Sequence, residues 1–256
     1  MSFTATGLVK HYSLQGDSSF TALGPLDLKV DTGEFLCLLG PTGCGKTTLL
    51  RLLAGLENPD QGSFDTGKSR LGYVFQQGAL FPWMTVESNV MFPLRANRVE
   101  REDALNRCSV MLEKVGLTAF RKSYPHELSG GMQQRTALAR GLVMEPGLLL
   151  LDEPFASLDE KTGIILQDMV LTLCRRLSTT VIFVTHSIEE AVYMADRIVV
   201  MGHSPGRIVR NERITLDRPR DRMSVPFTET LLSFRQTFEE LVDPRLSSFA
   251  QMKEQQ

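Results

Sequence analysis

A glycine-rich octapeptide constrains the fold of this chain more than any other segment. Residues 40–47 read Gly-Pro-Thr-Gly-Cys-Gly-Lys-Thr and follow a short apolar run, Phe35 to Leu39. The pattern is typical of a phosphate-binding loop that joins a strand to a helix: backbone N–H groups surround the β-phosphate, the lysine reaches the β- and γ-oxygens, and the last threonine presents its hydroxyl to Mg²⁺. The helix is predicted over 48–54, with its positive N-terminus towards the phosphates. The sequence therefore predicts a nucleoside triphosphate site formed by Gly40, Pro41, Thr42, Gly43, Cys44, Gly45, Lys46, Thr47 and Thr48.

Two adjacent carboxylates, Asp152 and Glu153, follow a run of four leucines that is too short for a helix. Such a run predicts a buried parallel strand that carries the acids to its C-terminal edge, where open α/β sheets bind their ligands. We expect Asp152 to hold Mg²⁺ and Glu153 to polarise the water that attacks the γ-phosphate. The two patterns together indicate an enzyme that hydrolyses a nucleoside triphosphate.

A third segment lies between them and reads Leu-Ser-Gly-Gly-Met-Gln-Gln-Arg over residues 128–135. It resembles the signature sequence of ATP-binding cassette ATPases, the motor subunits of ABC transporters. The hydroxyl of Ser129 and the N–H groups of Gly130 and Gly131 would form a second anion site at a helix N-terminus. In that family the site closes over the γ-phosphate held by another copy. The resemblance therefore implies a head-to-tail homodimer that encloses two ATP molecules.

The resemblance also gives roles to four further residues. Tyr12 matches the aromatic residue that stacks on adenine, although a lone tyrosine is often a surface or core residue. Gln76 matches the glutamine that contacts Mg²⁺ and the attacking water; its neighbour Gln77 is the alternative. Asp159 ends a Ser-Leu-Asp segment that matches the loop linking the two active sites across the dimer. His186 follows a β-branched run and matches the histidine that contacts the γ-phosphate.

The predicted fold class is α/β, and its organisation follows from changes in periodicity. Residues 1–78 favour strands and the phosphate-loop helix, residues 79–147 favour helices, and residues 148–201 return to alternating strands and helices. The family fold would be a RecA-like P-loop NTPase core with an antiparallel β subdomain and an inserted α-helical subdomain at about residues 79–147. We assign the nucleotide-binding domain to residues 1–240 and a tail that matches no known pattern to residues 241–256.

Composition is that of an ordinary globular chain. Its 256 residues are 42% hydrophobic and carry a formal net charge of -2, which gives no reason to expect nucleic acid as a partner. No apolar run of about 18 residues spans a bilayer, and the N-terminus lacks the pattern of a secretion signal. We therefore expect a cytosolic protein, and the resemblance implies that it is bound at the cytoplasmic face of the membrane through a permease.

The four cysteines lack Cys-x-x-Cys spacing, which indicates neither a zinc site nor a disulfide framework. Cys44 lies within the phosphate loop near a helix N-terminus, where the pKa of a thiol tends to fall. Redox sensitivity of Cys44 is one hypothesis; a tolerated variable position is the simpler interpretation.

Two further segments resemble one subfamily of importer ATPases, those for nitrate, sulfonates, taurine and bicarbonate. Residues 80–90 carry the only tryptophan, Trp83, where a coupling helix of the membrane subunit docks in the family. Residues 201–209 and the arginine-rich residues 216–222 are also similar to that subfamily. The resemblance implies uptake of a sulfonate, taurine or nitrate, with two permease subunits and an external solute-binding protein as partners.

Three alternatives stay open at this point. Importers of other solutes, such as a thiamine-precursor pyrimidine, have similar ATPases, and the solute does not touch this subunit. Cassette ATPases of DNA repair or of the ribosome usually carry coiled coils, paired cassettes or basic surfaces, and the sequence shows none of these features. Exporters usually fuse the ATPase to the membrane domain, although separate exporter ATPases exist.

Overall fold

The structure, a computed structural model, describes residues 3–13, 19–67, 69–76, 79–202 and 205–242. These residues form two compact units. The first contains residues 31–33 and 66–183, and the second contains the described residues of 2–30, 34–65 and 184–256. Both units combine helices and strands, as the α/β prediction requires.

The second unit contains an antiparallel sheet of three strands in the order β2-β1-β4. The strands are β1 (Phe3–Ser13), β2 (Ser19–Val30) and β4 (Gln61–Asp65). Along β2, buried Leu26, Leu28 and Val30 alternate with exposed residues, so that one face of the strand packs into the core. This period of two is the signature of a sheet with one solvated face.

The second unit also contains the strand that leads into the phosphate loop. This strand, β3 (Phe35–Leu39), is buried along its whole length and pairs in parallel with β8 (Arg197–Gly202), which pairs antiparallel with β9 (Arg207–Arg213). Helix α1 (Lys46–Leu53) follows the loop. Two helices complete this unit: α6 (Ile188–Met194) and α7 (Val225–Val242), which packs against α6.

The first unit contains a parallel pair, β5 (Leu71–Val74) and β6 (Leu148–Asp152), in which Tyr73 lies opposite Leu150. Strand β7 (Thr180–Thr185) begins in this unit and ends in the second. The helices of the first unit are α2 (Val86–Ala96), α3 (Arg101–Lys114), α4 (Gly130–Leu142) and α5 (Glu160–Arg176). Helices α2, α3 and α4 pack on one another. They lie within the stretch whose pattern predicted helices.

Two boundaries differ from the predicted ones for local reasons. Helix α1 begins two residues earlier than expected because Gly45, with φ 93°, already provides the left-handed residue that precedes it. The segment Asn58-Pro-Asp-Gln-Gly62 favours a turn from its composition, but the turn ends earlier than that because β4 begins at Gln61, which pairs with Val9 of β1.

Some predictions fall on residues outside the described ranges. They are Gln77, the His-Ser pair at 203–204 and the tail from residue 243 onward. Among the helices that the structure does describe, none has the length and apolarity needed to cross a bilayer.

Candidate nucleotide site

The phosphate loop holds its lysine with its own backbone. Lys46, 5% exposed, donates from Nζ to the carbonyl oxygens of Gly40 at 2.6 Å and Pro41 at 2.9 Å. A buried ammonium needs such partners, because desolvation without them is costly. The loop therefore fixes the position of this charge at the beginning of α1.

Close packing explains two of the loop glycines. A Cβ on Gly45 would lie 2.8 Å from the carbonyl oxygen of Ala22, and φ at Gly45 is +93°. A Cβ on Gly40 would lie 2.6 Å from Sγ of Cys44. Only glycine fits these positions without a shift of neighbouring atoms. Thr42 and Gly43 are exposed at the tip of the loop, and Thr47 and Thr48 are half-buried in the first turn of α1.

The structure brings Tyr12 to the phosphate loop. Tyr12 lies on β1, its hydroxyl donates to Oε2 of Glu57, and its side chain interacts with that of Thr48. Burial raises the pKa of the Tyr12 phenol, and the hydrogen bond to Glu57 raises it further. The ring has Phe20 at 5.9 Å and Nζ of Lys10 at 5.7 Å from its centroid. Glu57 was not among the predicted site residues, since nothing in its local sequence distinguishes it.

The expected lowering of the Cys44 pKa is wrong. The Cys44 side chain is 0% exposed, and burial raises the pKa of its thiol, while the Lys46 ammonium opposes this effect only in part. Desolvation disfavours the thiolate more than the nearby positive charge favours it. The structure therefore supports a packing role for Cys44.

The two predicted acids lie at the end of β6 in the first unit. Asp152 is 6% exposed, and its Oδ2 accepts a hydrogen bond from the Tyr73 hydroxyl at 3.2 Å. Tyr73 was not identified as a site residue from the sequence. Its contact with Asp152 depends on the pairing of β5 with β6, which the sequence does not specify.

Glu153 follows Asp152 with a left-handed backbone, φ 43°, which is rare for a residue other than glycine. Its Oε2 accepts a hydrogen bond from Nε2 of Gln76 at 3.3 Å. Strained backbone of this kind is concentrated at functional sites, where the surrounding structure maintains it. The first unit thus brings together Gln76, Asp152 and Glu153, three of the predicted site residues.

The signature segment forms the start of α4. Ser129 precedes the helix, and its Oγ accepts a hydrogen bond from the N–H of Met132 at 3.3 Å. Ser129 and Gly130 are exposed, whereas Gly131 is buried. A Cβ on Gly131 would lie 2.6 Å from Cγ2 of Thr162.

Asp159 lies at the same end of the first unit, because it also contacts Thr162. It precedes α5, and its Oδ1 accepts a hydrogen bond from the N–H of Thr162 at 3.1 Å. Hydrogen bonds with Thr162 lower the pKa of the Asp159 carboxyl. The predicted signature residues and Asp159 are therefore neighbours in the structure.

His186 is exposed and belongs to the second unit, directly after β7. Hydrogen bonds fix both of its neighbours: Oγ1 of Thr185 donates to Oε2 of Glu190 at 2.6 Å and accepts from the N–H of Ser187 at 3.0 Å. Burial raises the pKa of the Cys37 thiol in β3, the Glu190 carboxylate raises it further, and the Lys46 ammonium lowers it. Glu190 in the first turn of α6 and Lys46 of the phosphate loop are therefore both close enough to Cys37 for their charges to affect its thiol.

A separate groove with a volume of about 390 Å³ lies in the first unit. Phe75, Phe81 and Phe92 are among its lining residues, and the guanidinium of Arg140 lies 5.3 Å from the centroid of the Phe81 ring. Trp83, 70% exposed, lies beside Phe81 with the two rings tilted and their centroids 5.7 Å apart. The groove includes part of the segment that was predicted to dock a membrane subunit.

The side chain of Asn89 binds the backbone of that segment. It is 0% exposed, its Oδ1 accepts from the N–H of Phe81 at 2.9 Å, and its Nδ2 donates to the carbonyl oxygens of Phe81, Met84 and Thr85. A fully buried amide whose oxygen and nitrogen both have hydrogen-bond partners fixes a turn tightly. The aromatic residues are therefore presented on a rigid loop.

Comparisons with known proteins identify the family. The profile of the ABC transporter family matches residues 23–156. An uncharacterized ABC transporter ATP-binding protein of Methanocaldococcus jannaschii is 45% identical over 87% of this chain and 85% of its own. The aliphatic sulfonates import ATP-binding protein SsuB 1 of Pseudomonas savastanoi pv. phaseolicola is 46% identical over 79% of this chain and 83% of its own. SsuB of Bacillus cereus is 39% identical over 93% of this chain and 96% of its own.

Solved structures agree with these relatives. A dimeric ATP-binding cassette in a post-hydrolysis state, bound to ADP and Pi, superposes with a TM-score of 0.74 at 30% identity, over 84% of this chain and all of that chain. A dimeric bacterial ABC transporter cassette matches with the same values. These likenesses confirm the predicted fold class. The chain therefore belongs to the ABC transporter family and is one of its ATP-hydrolysing subunits.

Proposed function

We propose that this chain drives an importer of a small anionic nutrient, an aliphatic sulfonate first, with taurine and nitrate as the nearest alternatives. The relatives from Pseudomonas savastanoi and Bacillus cereus are named for aliphatic sulfonate import, and both align with most of this chain. The observation that carries the hydrolytic mechanism is the hydrogen bond from Gln76 to Glu153, beside buried Asp152.

In the second unit, the phosphate loop binds the nucleotide. The backbone N–H groups of residues 42–48 surround the β-phosphate, and Lys46 binds the β- and γ-oxygens. Lys46 would exchange its present backbone partners for phosphate oxygens, which are stronger acceptors. Thr47 supplies a hydroxyl to Mg²⁺, Tyr12 stacks on adenine, and His186 contacts the γ-phosphate.

In the first unit, Asp152 and Gln76 are the residues that would hold Mg²⁺. Carboxylate and amide oxygens are the hard donors that this ion prefers. The Gln76 amide nitrogen donates to Glu153, so its oxygen is the atom suited to the metal. When bound, Mg²⁺ neutralises charge on the phosphates.

Glu153 is the general base in this proposal. Its carboxylate accepts a proton from the attacking water, and Gln76 orients the carboxylate through the hydrogen bond at 3.3 Å.

The signature residues act on the nucleotide of a second copy. Exposed Ser129 and Gly130, with the N–H of Gly131, offer donors at the start of α4 that can close over a γ-phosphate. Asp159, their neighbour through Thr162, links the two sites of the head-to-tail homodimer. ATP thus holds two copies together, and hydrolysis releases them.

The membrane partners are two permease subunits, which keep the chain at the cytoplasmic face, and an external solute-binding protein delivers the solute to them. The aromatic groove around Phe81 and Trp83 is the docking site for a permease helix. In this scheme residues 1–240 are the nucleotide-binding domain, residues 79–147 its helical subdomain and residues 241–256 a tail. Closure of the dimer would pull the docked helices together and change the conformation of the permease.

The experiment is ATP hydrolysis by the complex reconstituted with its permease and its solute-binding protein. The solutes are an alkanesulfonate, taurine, nitrate, bicarbonate and a thiamine-precursor pyrimidine. We expect stimulation by the alkanesulfonate, and none when the complex contains Glu153→Gln. Stimulation by the pyrimidine alone would make the pyrimidine, and not a sulfonate, the proposed solute. ATP hydrolysis that responds to none of the solutes would overturn the importer assignment but not the assignment as an ATPase.

A further inference from the structure

The arginine-rich segment at residues 216–222 has no part in the function described so far. It follows β9 in the second unit and carries arginines at alternate positions, Arg218, Arg220 and Arg222. We call these three residues the arginine clamp, because all of them bind helix α6 or the residues at its ends. Helix α6 is the helix that begins directly after His186 and Ser187.

Arg220 binds the C-terminal end of α6. It is 7% exposed, and its Nη1 donates to the carbonyl oxygens of Val192 at 2.6 Å, Tyr193 at 3.1 Å and Ala195 at 2.6 Å. The last four carbonyls of a helix have no partner within the helix, and a positive charge at this end also interacts favourably with the helix dipole. A single guanidinium therefore satisfies three of these carbonyls.

Arg218 and Arg222 complete the clamp. Nη2 of Arg218 donates to the carbonyl oxygen of Met194 and, at 2.8 Å, to Oδ1 of Asp196. Together with Arg220, it binds the four consecutive carbonyls from Val192 to Ala195. Nη1 of Arg222 donates to Oε1 of Glu189 at 2.8 Å, and its guanidinium lies 3.7 Å from the centroid of the Tyr193 ring. The clamp thus grips both ends of α6.

Helix α6 needs such support because it is short. It has seven residues, fewer than an isolated helix requires for stability in water. Its first turn is the element that fixes the backbone around His186: Glu190 accepts from Thr185, and Ser187 accepts from the N–H of Glu190 at 3.3 Å. A shift of α6 would therefore move both neighbours of His186.

We infer that the arginine clamp positions His186 for the γ-phosphate by fixing helix α6, so that Arg218, Arg220 and Arg222 are positioning residues for ATP hydrolysis. This inference rests on the proposed role of His186. It predicts a loss in kcat with ATP binding preserved, because the phosphate loop binds the nucleotide through contacts that do not include α6. A misplacement of about 1 Å at a reacting group costs up to about a hundredfold in rate.

The test is a double-mutant cycle on the full-length chain. Arg220→Gln, His186→Ala and the double variant are compared in kcat for ATP hydrolysis and in the Kd for ATP. We expect Arg220→Gln to lower kcat by at least about tenfold, with Kd changed less than about twofold. In the His186→Ala background, Arg220→Gln should lower kcat no further, since the residue it positions is already gone.

Controls separate this effect from general destabilisation. Arg210 also makes several hydrogen bonds in the second unit, to Ser233 and Thr237 of α7, and stacks on Phe234, but these contacts do not involve α6. Arg210→Gln should leave kcat within about twofold of wild type whatever its effect on the melting temperature. Arg220→Lys, which keeps the charge and can bind fewer carbonyls, should restore part of the activity.

If Arg220→Gln does not fold, Arg222→Gln replaces it in the double-mutant cycle with His186→Ala. Its partner Glu189 is an exposed residue, and Glu189→Gln should reproduce the effect of Arg222→Gln. Losses in kcat that multiply with that of His186→Ala, or an unchanged kcat in Arg220→Gln, would overturn the clamp and leave the proposed function standing. An unchanged kcat in His186→Ala itself would instead overturn the role of His186.

Discussion

The phosphate loop and the signature segment both lie at helix N-termini, where we propose that each binds phosphate, yet they differ in how far the chain completes them. In the phosphate loop, Lys46 is buried and bound by the loop carbonyls, and two glycines are required by contacts within the same unit. In the signature segment, Ser129 and Gly130 are exposed. Apart from Gly130 itself, its two chain neighbours and the nearby backbone of α4, no heavy atom of the described residues lies within 4 Å of the place where a Cβ on Gly130 would stand.

The difference between the phosphate loop and the signature segment indicates which of the two a single copy would complete. The phosphate loop is held by contacts with its own neighbours, and in our proposal it binds a nucleotide by itself. Ser129 and Gly130 are exposed on the surface, and in our proposal their ligand comes from a second copy. This difference is what the proposed head-to-tail dimer requires, and four experiments test the account, from the largest expected effect to the smallest.

The largest effect is expected at Glu153. Glu153→Gln should lower kcat by about 10²- to 10⁴-fold, because the general base is lost while the phosphate contacts remain. Phosphate release under steady-state conditions measures the rate, and nucleotide titration should give an affinity close to that of wild type. Exposed Glu113 in the same unit provides the matched control, since Glu113→Gln should have wild-type kcat. Near wild-type turnover by Glu153→Gln would assign the base elsewhere.

The next effect separates the two anion sites. Ser129→Phe should lower kcat by about a hundredfold, since it blocks the donors at the start of α4, and it should leave ATP binding by the monomer unchanged. Ser109 is exposed on α3, and Ser109→Phe controls for an added aromatic surface. If Ser129→Phe abolished ATP binding by the monomer, the signature would belong to the same nucleotide site as its own phosphate loop.

The two signature glycines should respond in opposite ways. A Cβ on Gly131 meets Thr162, and such overpacking costs about 1–3 kcal/mol, which exceeds the roughly 0.5–1 kcal/mol gained by replacing a helical glycine. Gly131→Ala should therefore lower the melting temperature by about 2–4 °C. Gly130→Ala should not lower the melting temperature. It should reduce kcat, because the added methyl group would occupy space that the nucleotide of the partner copy needs. Full activity in Gly130→Ala would contradict the claim that the nucleotide of a second copy requires glycine at this position.

The smallest effect concerns Cys44 within the phosphate loop. Burial raises the pKa of its thiol, so less thiolate is present at neutral pH than in a free cysteine, and reactivity should rise only at pH values above the ordinary thiol range of about 8.5. Iodoacetamide at neutral pH should modify Cys44 slowly and leave ATP binding unchanged. Rapid modification with loss of binding would restore the redox hypothesis.

Sequence patterns predicted those parts of the site that depend on local order. The loop between β3 and α1, the acids after β6 and the Ser129 cap of α4 each involve residues close together in the chain, so short motifs specify them. The contact of Tyr73 with Asp152 and the clamp of Arg220 on Val192 join residues 79 and 28 positions apart. Such contacts depend on strand pairing and on helix packing, which a single sequence does not reveal.

The backbone at Glu153 illustrates the same limit within a motif. The sequence predicted an acid after the strand, but not its left-handed conformation, because local preference for a glutamate opposes a φ of 43°. The pKa of Cys44 was mispredicted for a related reason: a helix N-terminus is visible in the sequence, whereas complete burial of the side chain is not.

The most direct test is the mass of Glu153→Gln in solution, measured by sedimentation with and without ATP and Mg²⁺. Our account predicts a monomer without nucleotide and a dimer with two bound ATP molecules when both are present. It also predicts that adding Ser129→Phe to Glu153→Gln keeps the chain monomeric with one ATP bound. A chain that stays monomeric in Glu153→Gln, or a dimer that Ser129→Phe does not disturb, would contradict the claim that two copies share each nucleotide.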